Sequence, residues 1–113
     1  MNWNLLENVE QLNSIDEISK TTPCLLLKHS TRCSISSMAL NRLESNWKAE
    51  DNQRRITPYY LDLLQHRDIS NEIAIRYGIE HQSPQVLIIL NGKCIYSASH
   101  SDIRYNEIMN FSK

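Results

Sequence analysis

Apolar residues occur along the chain in two textures: short solid runs, and longer stretches in which they recur every three or four positions. "CLLLKH", Cys24–His29, is a solid run of strand length and predicts a buried central strand. "TPYYLDL", Thr57–Leu63, predicts a second strand. "QVLIIL", Gln85–Leu90, and "KCIYSA", Lys93–Ala98, predict two more, joined by Asn91-Gly92, the strongest short hairpin signal. Trp3–Leu6 can add a short edge strand. Between these runs the spacing becomes helical. Ile35, Ala39, Leu43 and Trp47, flanked by Met38 and Leu40, predict one buried face of a helix of about four turns starting at Ser34. Asp68–Gly78 predicts another, with Asp68 or Ser70 as its cap, Ile69, Ile73, Ala74 and Tyr77 facing inward, and Gly78 as the left-handed end. A shorter helix is expected over Ile15–Ser19, with Ser14 as N-cap, Glu17 at the capping-box position and Pro23 as the stop. A last helix starts near Ser101 or Asp102, with Ile103, Ile108, Met109 and Phe111 as its packing residues.

The order is β-α-β-α-β-α-β-β-α, parallel at first and closed by an antiparallel hairpin. It fits one α/β domain over residues 1–113: a three-layer α/β/α sandwich on a mixed central sheet of four core strands, with the N-terminal edge strand as a fifth.

Composition narrows the functional classes. The 113 residues suffice for one core, and 41 % hydrophobic with 22 % charged residues is a globular balance. A net charge of −1 without a basic stripe gives nucleic-acid binding little support. Two glycines, Gly78 and Gly92, leave no Gly-rich phosphate loop. "MNWNLLENVEQL" lacks the pattern of a signal peptide, and Val86–Leu90 is too short to span a bilayer. A soluble, cytoplasmic protein is expected, with no membrane partner. Its three cysteines then read as free thiols or redox groups rather than as a disulfide framework.

Chemistry concentrates at "STRCSIS", Ser30–Ser36. Cys33 falls where the buried strand ends and the long helix begins. Helix-start N–H groups have no partner inside the helix and carry the positive end of the macrodipole, so they favour a thiolate over a thiol. Thiols at such sites ionise at roughly 3.5–7.5 instead of about 8.5. Arg32 adds a fixed positive charge. Ser36 lies one turn on, where its hydroxyl can donate to the sulfur but cannot form a disulfide. Chemistry at Cys33 would then stop at a mixed disulfide that an external thiol releases. The alternative is a cysteine that merely packs near a turn. Ser83-Pro84, at the entry to the Gln85 strand, has two readings as well: an ordinary trans proline, or a cis-proline turn that exposes the Ser83 backbone as a docking edge.

"NEIAIRYGIEHQSPQVLIILNGK" resembles the thioredoxin superfamily's run of helix, Tyr-Gly-Ile, cis-proline, strand and turn. Within that superfamily "LLLKHSTRCSIS", and above all Lys28–Ser36, is similar to the monothiol bacilliredoxins. The resemblance implies a monothiol thiol–disulfide oxidoreductase that removes bacillithiol from modified protein cysteines. Cys33 matches the reactive cysteine, Ser36 the residue in place of the resolving cysteine, and Pro84 the cis-proline. Ser34 stands where that family commonly has proline, and it restores an N–H. Bacillithiol, the co-substrate, carries malate carboxylates, so its pocket should offer cations and backbone donors: Arg32 and Lys28 are the expected cations, Ser34 a further binding residue, and Ser83 and Pro84 the docking edge. No tightly bound cofactor is implied. The partners would be bacillithiolated proteins, with bacillithiol or a reductase for regeneration.

Cys24 and Cys94, at the starts of their strands, should lie at the sheet edge away from Cys33 and about 10 Å apart, beyond disulfide reach. Both are expected to be packing residues. His29, His66, His81 and His100 show no zinc-finger spacing with the cysteines, so no metal site is expected. His29 can polarise the neighbourhood of Cys33 or simply be a hydrogen-bonded histidine at the strand end. Two other functions stay open: a glutaredoxin-like iron–sulfur carrier, although Cys-Gly-Phe-Ser is missing, and a redox-inactive thioredoxin-like binding module.

Overall fold

A computed structural model of the chain describes residues 1–48 and 56–112. A five-stranded sheet in the order β1-β3-β2-β4-β5 is built from β1 (Asn4–Leu5), β2 (Cys24–His29), β3 (Thr57–Asp62), β4 (Gln85–Leu90) and β5 (Lys93–Ser99). The pairs β1/β3 and β3/β2 are parallel; β2/β4 and β4/β5 are antiparallel. The helices are α1 (Gln11–Ile18), α2 (Ser34–Asn46), α3 (Arg67–Tyr77) and α4 (Tyr105–Met109), with a 3-10 turn at His100–Asp102 before α4. Among the described residues, no helix is long and apolar enough to cross a membrane.

The pleat of β2 sorts its six buried residues between two cores. Cys24 and Leu26 join Leu12, Ile15, Ile69 and Ile73 beneath α1 and α3. Leu25 and Leu27 join Ala39, Leu43, Trp47 and Ile108 beneath α2 and α4. This is the expected α/β/α sandwich with a mixed sheet, and the edge strand is present as two residues.

Pro58 sits inside β3 without breaking the sheet. Alternate N–H groups of β3 face β2 and β1, and Thr57 donates toward β2, to Pro23 O at 2.9 Å. The proline's missing donor therefore faces β1, whose pairing begins only opposite Tyr59. The β4–β5 turn has Asn91 and Gly92 at φ 53° and 71°, the paired positive values that the Asn-Gly signal demands. It is pinned to α1: Asn91 N–H donates to Ser19 O, and Gly92 N–H to Ser19 Oγ, both at 2.9 Å. Gly78 ends α3 at φ 66°.

Three local expectations change. First, α1 starts at Gln11, so Ser14 is inside it and exposed. Asn8 Oδ1 accepts Gln11 N–H, and Gln11 Oε1 accepts the N–H groups of Glu7 and Asn8. This reciprocal arrangement starts the helix one turn early and lets it bury Leu12. Second, α3 starts at Arg67, with Asp68 in its first turn and Ser70 buried; neither side chain caps it. Asp62 Oδ1 instead takes Leu64 N–H and Gln65 N–H in the preceding turn. Third, α2 does not bury Ile35, which is 53 % exposed, nor Met38, at 63 %. Its buried face begins with Ser36 and continues through Ala39 and Leu43.

Candidate active site at the start of helix α2

Cys33 is the N-cap residue of α2, with extended backbone at φ −111° and ψ 119°. Its N–H donates to Ser30 O at 3.2 Å, closing the turn that leaves β2, and its carbonyl accepts Ser37 N–H at 3.0 Å. The N–H groups of Ser34, Ile35 and Ser36 lie ahead of that first helical bond and have no acceptor within the helix. The thiol is half-buried, and no hydrogen bond from a described residue reaches the sulfur. Ser34 is exposed at the first helical position. A half-exposed thiol beside three unclaimed donors can be attacked from solvent and can carry negative charge.

Ser36 is fully buried beneath this turn. Its Oγ accepts Ser30 N–H at 3.1 Å and shares a 2.6 Å hydrogen bond with His29 Nδ1. The residue therefore ties the end of β2, the turn and the first turn of α2 together. His29 is also buried, packed against the Tyr60 ring at 5.6 Å. Burial is the main influence on the ring and lowers its pKa, against the opposing pull of Asp62, Glu44 and Ser36.

Lys28, one residue earlier, points to the other side of the sheet and is fully buried. Its ammonium donates to Ser70 O at 3.3 Å and lies 3.2 Å from His81 Nδ1. Burial lowers its pKa to about 8. Lys28 thus sits below the surface on the α3 side, whereas Arg32 is exposed and lines a cavity of about 350 Å³ beside the cysteine turn.

The peptide Ser83–Pro84 is cis. Lys28 pairs with Gln85 in antiparallel register, so the residues just beyond, His29 and Pro84, reach the same sheet edge. Pro84 O accepts His100 N–H at 3.1 Å. Ser83 Oγ is buried without a hydrogen-bond partner among the described residues. On the α2 side, Ile35 and Met38 join Arg42, His100 and Ser101 around a second cavity of about 290 Å³. The cysteine turn is thus flanked by a polar, cationic side and an apolar side.

Cys24 and Cys94 lie elsewhere. Both are in register with Ile89, one on each side of it, which sets them two strands apart, about 10 Å. From Cys24 to the other end of β2 is roughly 17 Å at about 3.3 Å per residue. Burial, with Asp16 adding to it, pushes the Cys24 thiol up to about 12. Burial raises Cys94 as well.

Three features of the site escape a reading of the sequence. The His29–Ser36 bond joins residues on two elements. The exposed Ile35 and Met38 match the helical period of the core. Arg67, at the start of α3, enters the cavity beside Arg32 only through the fold. The last two carry no local signal; the pairing at His29 had one, since a strand-end histidine seven residues before a serine one turn into a helix can meet it.

Known structures share this fold. A solved structure described as a candidate oxidoreductase with a thioredoxin fold matches with a TM-score of 0.80 and 29 % identity, over 94 % of this chain and 89 % of that one. The thioredoxin of Malassezia sympodialis matches at 0.68 and 16 % identity, over 96 % and 86 % of the two chains. Fasciola hepatica thioredoxin matches at 0.69 and 14 %, over 95 % and 93 %. These show the thioredoxin fold. The family model for the monothiol bacilliredoxin BrxC matches residues 4–108, from the edge strand to α4 and through the whole cysteine turn. The chain belongs to the monothiol bacilliredoxin family.

Proposed function

We propose that this chain is a thiol–disulfide oxidoreductase of the cytoplasm that removes bacillithiol from protein mixed disulfides through Cys33. The observation that carries the reading is the position of Cys33: half-exposed at the N-cap of α2, beside unclaimed N–H groups, with a buried serine one turn on and no second thiol within reach.

The Cys33 thiolate attacks the bacillithiol sulfur of a protein–bacillithiol disulfide. A new S–S bond forms as the old one breaks. The substrate cysteine leaves as a thiolate and takes a proton from water, so the target is reduced and Cys33 is oxidised. Ser36 has no thiol with which to expel the bound bacillithiol. A second bacillithiol, or a partner reductase, attacks the outer sulfur, and Cys33 leaves as the thiolate again. The Ser34–Ser36 N–H groups stabilise that thiolate both as attacking and as leaving group. The Ser83 backbone next to Pro84 is the edge on which the substrate's own backbone docks, and Arg32 and Ser34 face the small thiol.

The test is intact-mass measurement after mixing the protein with a peptide whose single cysteine carries bacillithiol. Wild type gains one bacillithiol as free peptide appears, and Cys33→Ser releases none. A peptide that keeps its bacillithiol alongside a Cys33 that still alkylates would overturn the reading.

A further inference from the structure

We propose that Arg32 and Arg67 together form the anion-binding side of the site and that they receive the carboxylates of the small thiol; the proposal rests on the thiol-exchange reading of Cys33. Three of the described arginines are engaged. Arg42 donates to Ile103 O at 3.0 Å, Arg76 pairs with Asp16 and Glu72, and Arg104 pairs with Glu107. The guanidinium groups of Arg32 and Arg67 make no hydrogen bond or ion pair with any other described residue. These two line the same cavity of about 350 Å³, with Thr31, Asp62, Leu64 and Gln65. It opens next to Cys33, because Thr31 and Arg32 belong to the cysteine turn itself.

The charges around this cavity favour an anion. Asp62 is its one carboxylate, against two guanidinium groups, and its Oδ1 accepts two N–H groups, from Leu64 at 3.1 Å and Gln65 at 3.4 Å. Arg67 also lines an adjoining cavity of about 130 Å³ with Ser70 and His81. The buried Lys28 ammonium lies behind those two residues, and no carboxylate among the described residues pairs with it. At neutral pH Lys28 thus adds positive charge behind the cleft, and the exposed guanidinium forks are the groups that can grip a carboxylate in two places. On the opposite flank, with Ile35 and Met38, the guanidinium is that of Arg42, which is already held by Ile103 O. A small thiol bearing two carboxylates therefore has one side of Cys33 on which to lie.

The experiment uses one peptide with a single cysteine, loaded in turn with mercaptosuccinate (two carboxylates), 2-mercaptoethanol (neutral) and cysteamine (cationic). Single-turnover transfer to Cys33 is followed by mass. The readout is the ratio of the dicarboxylate rate to the neutral rate. Wild type is expected to favour the dicarboxylate by about tenfold at low salt, with the cation slowest and the preference shrinking as salt rises. Arg67→Gln should bring the ratio close to one, Arg67→Lys should keep part of it, and Arg104→Gln, at a paired site, should leave it unchanged. Equal rates in wild type, or a ratio untouched by Arg67→Gln, overturn the cleft. So does a rate gain that follows acidic residues flanking the peptide cysteine rather than the charge of the small thiol. A wild type that discriminates by charge yet fails on the bacillithiol adduct upholds the cleft and overturns bacillithiol as the substrate.

Discussion

Ser36 Oγ and His29 Nδ1 lie 2.6 Å apart beneath the cysteine turn, and the same oxygen takes Ser30 N–H. The hydroxyl has only one proton. When the neutral ring carries its proton on Nε2, the hydroxyl donates to Nδ1 and has nothing left for the sulfur. Ser36 then serves Cys33 by fixing the turn that presents it.

Removing that oxygen strands the part-buried Ser30 N–H and the buried His29 ring. Ser36→Ala is expected to cost about 1–3 kcal/mol in urea denaturation, the penalty for buried polar groups left unpaired. A loss below about 0.5 kcal/mol would mean that water takes the hydroxyl's place. Ser36→Cys puts a thiol one turn from Cys33. After treatment with oxidised bacillithiol its mass should show the loss of two hydrogens, an internal disulfide, in place of a retained adduct.

Alkylation separates the three thiols. Iodoacetamide at pH 8 should modify native protein at Cys33 first, since burial raises the pKa of both Cys24 and Cys94 and they lie away from the cysteine turn. Cys24→Ala with Cys94→Ala should leave thiol transfer within a few-fold and cost roughly 1 kcal/mol for each trimmed side chain. A folded but inactive double variant would show that a second cysteine takes part.

Lys28 makes stability depend on alkaline pH. At pH 7 the folded and unfolded chains both hold its proton, and the folded chain bears the cost of a buried charge. Between about 8, its folded value, and 10.5, its ordinary one, the folded chain has released the proton and the unfolded chain has not. Wild type therefore gains stability as pH rises through that window. Lys28→Met, which keeps most of the packing, should be the more stable protein at pH 7 by on the order of 2 kcal/mol. Denaturation at several pH values should show the gap closing toward pH 10. A pH-independent gap would place the ammonium in solvent.

The β4–β5 turn allows a test of backbone conformation alone. Nothing lies within 4 Å of a Cβ added at Gly92, so Gly92→Ala meets only its positive φ. The expected cost is about 1 kcal/mol in thermal denaturation. Ser19→Ala, which removes the acceptor for Gly92 N–H, should cost a similar amount. Gly92→Ala at no cost would argue against the left-handed turn.

The strands were the most legible part of the chain. Cys24–His29 and Gln85–Leu90 are solid apolar runs because both of their faces are covered, and Asn91-Gly92 names its own turn. The cysteine turn was legible for a similar reason: a strand end, a thiol and a helix start are adjacent in sequence. The start of α1 was not, because Asn8 and Gln11 cap each other within a polar stretch that has no Ser or Thr signal. Ile35 misled because a period of about four continues into the first turn of α2, where the helix has already cleared the sheet and faces the apolar cavity. Arg67 was invisible because its partner, Arg32, is thirty-five positions away, and only the parallel pairing of β2 with β3 brings them to one cavity.

The alternation along β2 has a consequence for how this site can vary. Lys28 and His29 are consecutive, yet one nitrogen base lies under α3 and the other under α2. Counting along the strand thus works as an address. A single residue inserted between Cys24 and Lys28 would exchange the two deliveries, putting the ammonium where Ser36 expects imidazole and the imidazole against Ser70. Individual substitutions at this edge can each be absorbed, but a change in strand length by one residue rewires both flanks of the cysteine at once.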